Sequence, residues 1–145
     1  MGWTSALRAP ACAGGVKCIN MNEAQRRNVD LLRSMDSSEA TDWILENHPK
    51  DGCIYITKRS WNKDDQTRLA EHFLITIPHA SAICYEALLS VMSITRFSSV
   101  VEKLMPEKAA DRDLLKYYLL PALRKAAKTD KDHSAIVELK SELQR

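Results

Sequence analysis

A mainly α-helical, single-domain fold follows from three features of the 145-residue chain. Apolar residues recur at intervals of three and four through most of its length, clusters of Asp, Asn, Ser and Thr stand just ahead of those runs, and only one short stretch alternates as a strand does. The length suits one hydrophobic core and leaves no room for two full domains. The expected architecture is a compact bundle of about six or seven short helices around a central apolar helix, with one short strand or extended segment at 53–58.

Residues 1–20 differ from the rest. They are rich in Ala and Gly and contain Arg8 and Lys17 but no acid, so they read as a flexible tail, or as a mis-called start with translation beginning at Met21. Residues 21–145 read as the single helical domain. Its first helix spans 22–35, with Val29, Leu32 and Met35 in helical register and Arg26, Arg27, Asp30 and Arg33 on other faces. Asp36-Ser37-Ser38-Glu39 supplies a cap with a carboxylate three positions on, opening a short second helix with Ala40, Trp43 and Ile44 inward. Pro49 and Gly52 then make a turn, with Gly52 tolerating the positive φ that a tight reversal can require. Residues 53–58, Cys-Ile-Tyr-Ile-Thr-Lys, alternate Ile54 and Ile56 against Tyr55 and Thr57 and are β-branched and aromatic, which marks the strand. A lone strand carries unpaired edge amides, so it predicts an extended loop or an edge for partner binding, including pairing with a second copy.

Asn62 caps the next helix, with Asp64 and Asp65 in its first turn and Leu69, Phe73 and Ile77 as its buried stripe. Pro78 suits the first turn of the central helix, in which Ile83, Ala87, Val91 and Ile94 lie along one line. Ser98 or Ser99 is placed as the cap of a short segment ending near Leu104. Residues 111–128 present Leu115, Tyr118, Leu119, Ala122 and Ala126 on one side, and Pro121 is expected to kink or divide them. Thr129 caps the last helix, whose stripe is Ile136, Leu139 and Leu143.

Composition narrows the function. The chain is 45% hydrophobic and 28% charged, a folding composition, and its 21 basic residues exceed its 19 acidic ones only through Arg8 and Lys17. The domain therefore lacks the broad basic field that nucleic acid or an anionic membrane selects. The apolar run 73–95 is long enough to cross a bilayer, but Pro78, His79 and Glu86 sit near its middle, and it reads as core, with no membrane association expected. Arg8 and Pro10 break the only candidate leader, and four cysteines in 145 residues are too few for a disulfide scaffold. Reduced thiols and a cytoplasmic location are the expectation.

Chemistry finds few of its required parts. His72, His79, Cys84 and Glu86 cluster around Pro78 and, with His48 and Cys53, include every zinc-ligand type, but their spacing does not bring ligands together in pairs. Cys84 as a nucleophile needs an exposed thiol of low pKa, whereas Ala82-Ile83-Cys84-Tyr85 reads as buried. The pairs Asp64-Asp65 and Asp111-Asp113 are explained as acids favoured at helix starts. No glycine-rich phosphate loop, nucleophile elbow or metalloprotease motif occurs in the chain. An enzyme or a metal site built on His72, His79, Cys84 and Glu86 stands third among the readings, and neither catalytic residues nor cofactors are assigned.

The second reading is a helical nucleic-acid binder. It uses the clusters at 58–68 and 124–131, with Lys58, Arg59, Arg124, Lys125 and Lys128 on phosphates and Trp61 as a stacking platform. The leading one is a small non-enzymatic protein-binding module of inhibitor, immunity-factor or adaptor type, acting through a surface at 53–61. Tyr55, Arg59 and Trp61 would carry that surface, because those residue types concentrate in interface hot spots. The partner is then another protein, with a homodimer through the 53–58 edge as a variant.

Overall fold

The computed structural model describes residues 21–145; the tail or alternative start at 1–20, with Cys12 and Cys18, lies outside the described residues. Among the described residues the chain forms eight helices and no strand: α1 (Glu23–Ser34), α2 (Ser37–Asn47), α3 (Cys53–Ile56), α4 (Lys63–Leu74), α5 (Ile83–Leu89), α6 (Ile94–Lys103), α7 (Ala109–Ala126) and α8 (Asp130–Leu143). The mainly α, compact fold is therefore as the periodicity indicates.

Local chemistry sets most helix starts. Asn22 and Gln25 exchange side-chain bonds with each other's backbone N–H groups, closing a capping box on α1. Asp36 Oδ1 accepts from the Glu39 amide at 2.8 Å, Asn62 Oδ1 from Asp65 at 3.0 Å and Thr129 Oγ1 from Asp132 at 3.1 Å, so α2, α4 and α8 start where the sequence places them. One apolar core then runs from Val29 in α1 to Leu143 in α8. Helix α4 packs between α2 and α6, α8 lies against both α6 and α7, and α5 is wrapped by α3, α4, α6 and α7.

Five expectations change. The 53–58 segment is a single helical turn, α3, because no neighbouring strand is present to receive its amides; the turn satisfies them locally, with Tyr55 donating to the Gly52 carbonyl and Lys58 to that of Tyr55. The long central helix from Pro78 to Ile94 is two elements. Pro78 follows a cis peptide in the loop before α5, Ile83 is 47% exposed rather than inward, and Ser93, not Ser98 or Ser99, caps α6 by accepting from Arg96. Ser98 is buried inside α6. The centre of the bundle is accordingly the seven-residue α5, with Cys84, Tyr85, Ala87, Leu88 and Leu89 all buried. Pro121 does not divide α7, which is continuous over 18 residues. The proline lies on the exposed side, where the Tyr117 carbonyl that loses its partner can meet water.

The fourth change concerns sulfur. Cys53 and Cys84 are joined in a disulfide that ties α3 to α5, with Cα atoms 5.5 Å apart. Free thiols were expected, but two cysteines 31 residues apart in sequence are brought together when α3 packs on α5. Gly52 also plays another part than the one expected: its φ is −69°, so positive φ is not what selects glycine. A Cβ there would lie 2.6 Å from the His48 carbonyl oxygen and 2.6 Å from Ile44 Cγ2, and close approach selects it instead.

Candidate interaction surface

Each residue nominated for partner binding at 53–61 is committed to the interior. Tyr55 is 1% exposed, and its hydroxyl accepts from Asn28 Nδ2 at 3.0 Å while its ring meets Trp43 and His48 edge-on. Trp61 is 6% exposed and donates its indole N–H to the Ile56 carbonyl at 2.9 Å. Arg59 reaches back to the end of α1, where Nη1 donates to the carbonyls of Leu32 and Met35 at 2.8 and 2.7 Å, and Nε donates to Ser60. A helix end leaves such carbonyls short of i+4 amides, Leu32 having only the Met35 N–H at 3.3 Å, and a guanidinium there also meets the negative end of the dipole. Lys58 is half-buried and offers its carbonyl to Arg33 Nε at 2.9 Å. The segment is thus a clasp between α1, α2 and α4, with its hot-spot side chains turned inward.

The candidate chemical groups are dispersed in the same way. His72 Nε2 lies 2.8 Å from the Pro49 carbonyl and His79 Nε2 2.8 Å from that of Phe73, so in each ring that nitrogen holds the proton and donates it. The His79 amide also donates to the Tyr85 hydroxyl at 2.9 Å, and burial raises the pKa of that phenol. His48 Nδ1 stands 3.1 Å from Asp51 Oδ1. Cys84 is held in the disulfide and has no thiol to ionise. Glu86, with a side chain 12% exposed, faces Lys125 Nζ at 3.6 Å. Among the described residues no group of three or more His, Cys, Asp or Glu is placed to hold a metal ion.

The acidic pairs are also structural. Asp65 is buried, accepts from Ser37 Oγ at 2.6 Å and from Arg68 at 3.1 Å, and so bolts α2 to α4; Asp64 remains exposed. Arg68 bridges Asp65 to Asp42, and its bond to Asp42 is the main reason its pKa rises. Asp113 pairs with Lys116 at 3.4 Å within α7, whereas Asp111 is half-buried in the first turn. Of the second basic cluster, Arg124 and Lys128 are exposed near the end of α7 and Lys131 on α8, while Lys125 is engaged with Glu86. Among the described residues no helix is long and apolar enough to cross a membrane; the run 73–95 is broken up among α4, a loop, α5 and α6.

What the sequence reading missed is a second apolar row on α7. The inner face buries Leu115, Leu119, Leu120, Ala122 and Leu123, yet Ala110, Leu114, Tyr117 and Pro121 are all exposed on the opposite side. Tyr117 is 71% exposed and lies edge-on to Tyr118, with ring centroids 4.9 Å apart. The signal was present as spacing: 110, 114, 117 and 121 recur at four, three and four, beside the inner stripe that had already accounted for the helix. Comparison with known proteins gives no matching family model, no matching curated protein and no matching solved structure.

Proposed function

We propose that this protein is a small non-enzymatic protein-binding module that docks through the outer face of α7, and not through the 53–61 segment that its residue types first suggested. The observation that carries the reading is the exposed row Ala110, Leu114, Tyr117 and Pro121. A helix of a globular domain normally turns its apolar residues inward, and an aligned exposed row with an aromatic at its middle is the form of a helix awaiting a partner surface. The enzyme reading loses the Cys84 thiol to the disulfide and both imidazoles to backbone carbonyls. Nucleic-acid binding would rest on cations split between Lys58 and Lys63 near the start of α4 and Arg124, Lys128 and Lys131 at the end of α7 and on α8, since the Arg59 guanidinium serves the clasp. A cytoplasmic location rested in part on reduced thiols; the Cys53–Cys84 bond removes that part of its support, because such bonds persist chiefly in oxidising compartments.

The test is affinity capture with the tagged full chain, with and without nuclease, comparing the unaltered protein with Tyr117→Lys and Leu114→Lys. A protein retained in stoichiometric amount through nuclease treatment and lost with either substitution supports the module. Retention indifferent to both substitutions, or lost entirely on nuclease treatment, rejects it.

A further inference from the structure

We infer that the partner of the α7 face is a second copy of this chain, the two helices running antiparallel about a two-fold axis near Tyr117; this rests on the docking face proposed above. The row at 110, 114, 117 and 121 follows the four-three-four interval by which one helix presents a seam to another. From Ala110 to Pro121 the row makes a seam about 16 Å long at 1.5 Å per residue, within a helix of 18 residues.

Charge selects the copy and its direction. Of the charges in the first half of α7, Lys108, Arg112 and Lys116 project away from the row at 100° per residue, leaving Asp113, which pairs within its own helix with Lys116 at 3.4 Å, beside the row there and Arg124 beside it at the far end. At 100° per residue Asp113 and Arg124 flank the row on the same side, about 20° apart around the axis. A two-fold perpendicular to the helix keeps that flank facing its own counterpart while reversing its direction. Asp113 of one copy then comes within about a turn of Arg124 of the other, and the contact occurs twice. In the same register Leu114 opposes Pro121 of the second copy and the two Tyr117 rings meet near the axis. Parallel pairing would instead set Asp113 beside Asp113 and Arg124 beside Arg124, with the helix dipoles aligned as well.

Sedimentation of the full chain tests this, carried out in a Cys12→Ser/Cys18→Ser background so that cysteines outside the seam do not link copies. The expected result is a reversible dimer whose dissociation constant rises by about tenfold or more with Tyr117→Lys. At concentrations low enough for both proteins to be monomeric, that change at an exposed position leaves the thermal unfolding transition in place. Asp113→Arg and Arg124→Asp each weaken the dimer, and the two combined in one chain restore it. A monomer at all concentrations, a dimer indifferent to Tyr117→Lys, or a failure of the combined reversal to restore pairing overturns the inference. If the chain is monomeric while affinity capture still depends on Tyr117, the docking face stands and only self-pairing falls; if capture is indifferent as well, both fall.

Discussion

The guanidinium of Arg59 lies over the ring of Trp61, 4.9 Å from its centroid, while the same group donates to the last carbonyls of α1. Two residues that look like interface anchors in sequence are therefore one internal joint. Trp61 closes over α3 through its bond to Ile56, and Arg59 uses the indole face as a platform from which to reach Leu32 and Met35.

Arg59→Ala should destabilise the fold by about 2 to 4 kcal/mol, since it removes charge-assisted bonds to two helix-end carbonyls and the contact with the ring. Arg59→Lys should recover only part, because an ammonium has no planar fork to span both acceptors. Urea unfolding decides it. A variant with an unchanged midpoint would show that Arg59 is free to serve a partner after all.

Gly52→Ala should cost about 1 to 3 kcal/mol, through overpacking and not through φ. The added carbon would sit 2.6 Å from the His48 carbonyl oxygen, which itself accepts the Gly52 amide at 3.0 Å and has little freedom to withdraw. A companion Ile44→Val change should leave that backbone clash in place and bring no recovery. Thermal unfolding of the two variants and the double checks this, and full rescue by Ile44→Val would place the conflict at the side chain instead.

Acid should loosen α2 and α8 together. Backbone amides hold Asp36 and Asp132 below their ordinary value of 3.8, chiefly the Glu39 amide for the first and the Lys128 amide for the second. A carboxylate whose pKa is depressed in the fold contributes stability above its unfolded pKa and loses it as pH falls through the folded one. The loss should set in as pH falls to about the ordinary carboxylate value of 3.8 and run on below it. Asp36→Asn keeps a capping oxygen but cannot titrate, so the variant should show a shallower fall of the unfolding midpoint across that window. An unchanged slope in Asp36→Asn and in Asp132→Asn would remove both caps from the account.

How far the sequence can be read depends on whether the cause is local. Caps at Asp36, Asn62 and Thr129 act within four residues, and the stripes Leu69–Phe73 and Ile136–Leu139–Leu143 need only a core on one side, so both were legible. The α3 turn was not, because Cys-Ile-Tyr-Ile has no polar face to betray a helix. Its shape is settled by Asn28, Gly52 and Cys84, partners distant or silent in a propensity reading. The break between α5 and α6 was hidden by a stripe at Ile83, Ala87, Val91 and Ile94 that keeps helical spacing straight through it; only the Ser93 cap marks the restart. On α7 the inner stripe explained the helix, and the outer row at Leu114 and Tyr117 passed as incidental surface.

Removing the Cys53–Cys84 bond should be the most damaging of these changes. The bond closes a loop of 31 residues, and the chain-entropy relation assigns such a loop about 3 to 4 kcal/mol of stabilisation. The loop holds the α3 clasp, all of α4 and the Pro78 segment, so α3 and the start of α5 should loosen first on reduction. Cys53→Ser/Cys84→Ser should therefore lower the unfolding midpoint and speed hydrogen exchange at Tyr55 and Ile56, while α7 and α8, which pack on each other, exchange as before. Alkylation of the unfolded chain without reductant supplies the direct check: Cys53 and Cys84 should resist labelling until reductant is added, and immediate labelling of both would show that they are thiols in the native protein.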